Sequence, residues 1–83
     1  MKYQKVYVAL EMLVRTDGTL RPLRLIWENG ISYPIDRVLH VTPAASLKVG
    51  GRGIRYTVII GGKQRFLYQE DGRWFVEARE MSI

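Results

Sequence analysis

The sequence predicts an all-β domain, a small and partly open barrel of five to six antiparallel strands built from consecutive hairpins. Three observations lead there. Four turn dipeptides, Asp17-Gly18, Asn29-Gly30, Gly61-Gly62 and Asp71-Gly72, separate alternating apolar runs, and such pairs accept the positive φ angles that hairpin turns require. The apolar residues lean toward Val, Ile, Tyr, Trp and Phe, which suit a pleated, half-buried surface. No segment sustains a helical period.

The first strand is expected from Tyr3 to Arg15, with Val6, Val8, Leu10, Met12 and Val14 on one face at period two. Its second face is mixed, carrying Tyr7, Ala9, Glu11, Leu13 and Arg15. The second strand, Leu20 to Glu28, contains Pro22, which has no N–H to donate and belongs at a strand start, an edge or a bulge. The third, Ile31 to Val41, is expected to bend at Pro34 and to send Ile35, Val38 and Val41 into the core. Thr42 followed by Pro43 predicts a short helical turn, with Thr42 as cap and proline in the first helical position.

The glycine-rich run Val49-Gly50-Gly51-Arg52-Gly53 is expected as a loop. Beyond it, Ile54, Tyr56, Val58 and Ile60 mark the apolar face of the fourth strand, Phe66 and Tyr68 that of the fifth, and Trp74, Val76 and Ala78 that of the sixth. Trp27 and Trp74, each beside a turn, read as core fillers. Residues 1–83 form one domain on length, with an ordered core over about residues 4–79. So short a sheet must hide its edges, and closure does so. Consecutive hairpins with one long irregular loop favour an SH3-like barrel, with an OB-like barrel as the alternative.

The charge is unevenly distributed. The chain carries a net +5 with a sequence pI of about 9.9. From Arg37 to Gln69 there is no acidic residue, whereas Arg37, Lys48, Arg52, Arg55, Lys63 and Arg65 contribute six positive charges. Clustered charge costs self-repulsion and points to an anionic partner, either nucleic acid or an acidic protein. Arg52, Arg55, Lys63 and Arg65 are the expected centre of such a surface, with Tyr56 or Tyr68 as a stacking platform. Against this stands strand parity, since Arg55 and Tyr56 are neighbours and face opposite ways. The glycines Gly50, Gly51 and Gly53 offer backbone N–H groups to a small anion, or else simply permit a tight loop or bulge.

Other chemistries find little support. There is no cysteine, so thiolate catalysis, disulfides and Cys-based zinc sites are excluded. His40 is the single histidine, and Ser32, Ser46 and Ser82 lack a nucleophile-elbow context. Glu70 and Asp71 are adjacent on a strand and diverge, so they make a poor acid–base pair. The Gly-x-Gly motif is followed by a strand and lacks the helix of a dinucleotide site. The expectation is therefore a non-enzymatic module with no cofactor and no metal. Lys2 and Lys5 before Val6–Leu10, interrupted by Glu11, read as a strand and not as a signal peptide. No run reaches the roughly 20 apolar residues of a membrane helix, which makes the cytoplasm the expected location. The mixed second face of the first strand, with Tyr7, Ala9 and Leu13, also admits a homodimer.

Two stretches carry a resemblance. The run Pro22-Leu23-Arg24-Leu25-Ile26-Trp27-Glu28-Asn29-Gly30 with Tyr33, Ile35 and Val38 is one; Ala45-Ser46-Leu47-Lys48 with Gly50, Gly51, Gly53, Arg55 and Tyr56 is the other. With the closing Trp74-Phe75-Val76-Glu77, they resemble a family of short proteins of clostridial-type bacteria that has no assigned activity. The resemblance spans about Lys5 to Arg79 and implies an SH3-like barrel with no catalytic residue. The segment from Trp27 through Gly30 and Tyr33 to Ile35 is also similar to a small barrel segment attached to some bacterial DNA-repair polymerase-like proteins. Two functions follow as expectations. One is a basic binding module for nucleic acid; the other is a protein-interaction or self-assembling domain without a nucleic-acid role.

Overall fold

The two-residue turn at Gly61-Gly62 fixes the register on which the inner core depends. Both glycines have positive φ, 58° and 77°, a combination matching the right-handed twist of flanking strands. Ile60 is thereby set opposite Lys63, and in step with it Val58 opposite Arg65 and Tyr56 opposite Leu67. The computed structural model describes residues 3–45 and 52–79. In it the strands are β1 (Tyr3–Val14), β2 (Leu20–Ile26), β3 (Ser32–Pro34), β4 (Arg37–Ala45), β5 (Arg52–Ile60), β6 (Lys63–Glu70) and β7 (Arg73–Arg79).

All seven lie in one antiparallel sheet in the order β3-β2-β1-β7-β6-β5-β4. The connectivity is two meanders joined where β1 meets β7. The sheet curls into a half-barrel, the open barrel expected from the hairpin pattern, with seven strands where five to six were expected. The extra one arises because Pro34 ends β3 and the third predicted strand resumes as β4 after Ile35-Asp36. Among the described residues there is no helix, and none therefore that is long and apolar enough to cross a membrane.

β1 is the backbone of the curl. Its first half, Tyr3 to Val8, pairs with β7, and its second half, Ala9 to Val14, pairs with β2. Its twelve residues at about 3.3 Å each reach about 40 Å. Pro22 lies beside a bulge, where Glu11 pairs with Arg24 but Met12 pairs with Pro22. β3 reaches only Arg24 to Ile26, so no strand on that side asks Pro22 for the N–H that it lacks.

The inner face holds one continuous core. Leu25, Ile35, Tyr56, Val58, Leu67, Val76 and Ala78 are buried there, and Val6, Val8, Leu10, Trp27, Val38, Ile60 and Trp74 pack against them. Tyr56 lies against Trp74 with ring centroids 4.9 Å apart. Each fully buried Leu or Val of this set contributes about 1.5–3 kcal/mol of transfer free energy.

Three expectations are corrected here. Thr42 and Pro43 do not open a helical turn; they continue β4, opposite Arg55 and Ile54. Proline is tolerated because β4 is an edge strand. Val41 is 47% exposed and not a core residue. The bulge between Val38 and His40 sets Val41 opposite Tyr56, on the inner side, but β4 is the terminal strand of the sheet, and an edge position covers its side chain less. Phe66 and Tyr68 do not form the inner face of β6. Leu67 does, at 0% exposure, because the Gly61-Gly62 turn places it opposite Tyr56.

The register makes a direct prediction. Leu67→Ala should cost about 2–5 kcal/mol in urea unfolding, as expected for a large-to-small change at a packed site. Phe66→Ala, one residue away, should cost well under half as much. Equal losses would contradict this register.

Candidate functional site

Parity puts a second set of side chains on the outer face of the sheet. β1 contributes Lys5 and Tyr7, β7 contributes Arg73, Phe75 and Glu77, β6 contributes Phe66, Tyr68 and Glu70, and β5 contributes Arg55. Tyr68, Phe75 and Tyr7 stand level on three neighbouring strands. Their rings form a row: Tyr68 stacks on Phe75 at 5.0 Å, and Phe75 meets Tyr7 edge-on at 6.0 Å. The two inner members are sealed, Phe75 at 1% and Tyr68 at 2% exposure, while Tyr7 and Phe66 are exposed large hydrophobics.

Cations lie over these rings. The Lys5 ammonium is 4.6 Å from the Phe75 centroid and 3.1 Å from Glu70 Oε1. The Arg73 guanidinium lies 3.6 Å from the Tyr7 centroid, and that of Arg55 lies 4.9 Å from Phe66. Such contacts are worth about 0.5–1 kcal/mol each at exposed sites. They also explain how aromatic residues sit stably on a solvent-facing sheet, because the apolar stems of long cations cover them.

The Tyr68 hydroxyl donates to Glu77 Oε1 at 3.3 Å. Its pKa is raised above the ordinary 10.0, first by burial and then by the Glu77 carboxylate; the Arg55 guanidinium opposes the rise. Arg55 Nε is itself buried and has no hydrogen-bond partner. Arg55 lies against the Phe66 ring, with this buried donor unspent.

The predicted basic cluster is divided by the sheet. Arg55 lies on the outer face and is half-buried. Arg37 is exposed on β4 opposite Ile59, on that same outer side. Arg65 is half-buried opposite Val58, on the inner side, and its Nη1 donates to the Gln64 carbonyl at 3.2 Å. Lys63 is exposed at the rim, next to the Gly61-Gly62 turn. Lys48, Gly50 and Gly51 lie outside the described residues, as does the side chain of Arg52, whose backbone opens β5. Neither expected platform is open to a ligand, since Tyr56 is in the inner core and Tyr68 is sealed.

Gly53 has a steric role. It is a strand residue of β5 opposite Ala44, and a Cβ built there would fall on the Gln69 carbonyl oxygen. Close approach of two backbones requires glycine at this point, and the anion-nest reading loses its support at Gly53. Among the described residues no group of three or more His, Cys, Asp or Glu could hold a metal ion. His40 is exposed, opposite Thr57 on the edge strand.

The acid-free stretch leaves out Lys5, Tyr7, Arg73 and Phe75, and its charges draw the eye past Phe66. Their signal was present as alternation, Lys5-x-Tyr7 and Arg73-x-Phe75 and Phe66-x-Tyr68. Which of two apolar parities faces inward is not written in one strand alone. Comparison with protein-family models, with curated proteins and with solved structures finds no match to this chain.

Two predictions follow from this geometry. Gly53→Ala should destabilise the fold by about 1–3 kcal/mol, the usual cost of overpacking, measured by urea unfolding; unchanged stability would remove the steric role. The raised Tyr68 pKa favours the neutral phenol in the folded state. Its contribution is complete below the unfolded value of 10.0 and is lost as pH rises through the folded value. In alkaline melts, Tyr68→Phe should therefore lose less stability than the parent between neutral pH and pH above 10. Parallel profiles would refute the assignment.

Proposed function

We propose that this domain is a non-enzymatic binding module whose outer face contacts nucleic acid. The observation that carries the reading is the pairing of each exposed outer-face aromatic with a guanidinium, Arg73 over Tyr7 and Arg55 over Phe66. Nucleic-acid surfaces of small β domains combine those two elements, a positive charge for phosphate and a flat ring for bases. The net charge of +5 and the exposed Arg37 on the same side add long-range attraction. Phosphate contacts position a ligand without reading its sequence, so affinity with little sequence preference is the expected mode.

The rest of the basic stretch contributes differently from the expectation drawn from order along the chain. Arg65 and Lys63 leave the outer face, and Lys5 and Arg73 enter it. Glu70 and Glu77 lie there too, but Glu70 is engaged with Lys5 and Glu77 with Tyr68. A protein partner or a second copy is the competing reading, supported by exposed Leu13 and Val14 at the projecting end of β1.

Fluorescence anisotropy with labelled DNA and RNA at several salt concentrations tests the proposal. Arg37→Glu combined with Arg73→Glu should weaken binding by more than about tenfold at low salt and flatten the salt dependence by about one contact for each arginine that touches phosphate. The melting temperature should fall by only a few degrees, since both residues are exposed and the ring contact that Arg73 gives up is worth about 0.5–1 kcal/mol. Absence of binding at low salt would overturn the nucleic-acid reading and turn attention to Leu13 and Val14 as a protein contact.

A further inference from the structure

We infer that the outer face selects single strands, with unpaired bases stacked at two separate platforms, Phe66 and Tyr7. The inference rests on the nucleic-acid reading and adds to it the form of the ligand. Three features of the face carry it.

First, the exposed rings are of use only to exposed bases. In a duplex the base faces are already stacked on one another, leaving groove edges and phosphates to a protein. A ring on a sheet, topped by a guanidinium, offers stacking to a base that has left its helix. Both platforms are of this composite kind, with Arg55 4.9 Å from the Phe66 centroid and Arg73 3.6 Å from that of Tyr7. The guanidinium plane is itself a stacking surface for a base.

Second, the spacing suits a splayed chain. Phe66 on β6 and Tyr7 on β1 flank β7. Tyr7 and Tyr68 are level across Phe75, so Phe66 is two residues out of step with Tyr7. Two strand spacings of about 4.8 Å and an offset of two residues place the platforms roughly 12 Å apart. That is more than three times the spacing of about 3.4 Å per nucleotide along one duplex strand. Successive stacked bases of a helix cannot occupy both, whereas an extended strand can, with unstacked nucleotides between.

Third, the charge between the platforms is too mixed for a duplex backbone. Lys5 is neutralised in part by Glu70 at 3.1 Å, and Glu77 stands beside Tyr68. Phosphates running over this stretch meet carboxylates as well as cations. Few phosphate contacts are therefore available, and stacking must supply much of the affinity.

The test compares labelled twelve-nucleotide dT and dA single strands with a twelve-base-pair duplex, using the full chain at near-physiological salt. The expected result is a preference for single strands of at least about tenfold. The log–log salt slope should match only two to three phosphates, at about −0.7 for each. Phe66→Ala and Tyr7→Ala should each weaken single-strand binding by about fivefold or more. Phe66→Leu keeps the apolar bulk and removes the ring, so it should fail as Phe66→Ala does, whereas Phe66→Tyr should bind like the parent. Circular dichroism melts establish that each variant is folded. Equal or tighter binding to the duplex, or unchanged binding by folded Phe66→Leu and Tyr7→Ala, would overturn the inference while leaving nucleic-acid binding in place. No binding to either form at low salt would overturn both.

Discussion

The two-residue link Ile35-Asp36 holds the half-barrel together. β3 and β4 are the two edges of the sheet, yet they are consecutive in the chain. Between them, the Ile35 N–H donates to the Leu23 carbonyl on β2 at 2.9 Å, and the Asp36 N–H donates to the Ile59 carbonyl on β5 at 2.8 Å. The Asp36 carboxylate then accepts from the Gly61 N–H at 3.1 Å, at the turn that sets the β5–β6 register. Three hydrogen bonds thus tie one edge of the sheet to the other, and buried Ile35 seals the seam from within. Closure of this kind removes part of the edge that a small sheet would otherwise present to other chains. It also leaves β4 as the long exposed margin, where a proline and a bulge are accommodated.

The curl that this link imposes makes the two faces unequal. Inside, aliphatic side chains and two tryptophans meet from opposite walls and exclude water. Outside, no second layer exists among the described residues, and the sheet covers its own aromatic row with cationic side chains. The resulting surface is apolar beneath and charged above. Such a face is stable alone because lysine and arginine stems shield the rings. It is also ready to exchange those contacts for a ligand, because each cation–ring pair holds only about 1 kcal/mol at an exposed position. On the proposed function, stability and recognition fall to different sides of one sheet.

The turns show how one dipeptide signal yields two geometries. Asp17-Gly18 and Asn29-Gly30 close the same three-residue hairpin. In each, the residue before the turn donates to the first residue beyond it and accepts from the turn glycine: Arg15 donates to Thr19 and accepts from Gly18, and Trp27 donates to Ile31 and accepts from Gly30. The Asp17 and Asn29 side chains also accept from the backbone N–H two residues on. At Asp17, the Thr19 hydroxyl first and the Thr19 N–H next lower the carboxyl pKa. Asp71-Gly72 instead forms a tight two-residue turn in which Asp71 itself adopts positive φ. Strand register and core packing decide between these forms, and both lie outside the dipeptide.

Local chemistry was enough to determine the all-β class, the four hairpins, the common face of Tyr56, Val58 and Ile60, and the irregular backbone at Pro22 and Pro34. Each depends on φ preferences, a missing N–H or a period of two, all properties of a few adjacent residues. The count of strands, the position of Val41, the strand at Thr42-Pro43 and the orientation of Phe66-Leu67-Tyr68 required partners distant in sequence. β6 is the clearest case, since three consecutive apolar residues satisfy either parity, and only the pairing of Leu67 with Tyr56 chooses. The same holds for the candidate site. A run of basic residues in sequence becomes a surface only after alternation and pairing sort its members. Here they sent Arg65 inward, kept Arg55 outside, and brought Lys5 and Arg73 to it from the two ends of the chain.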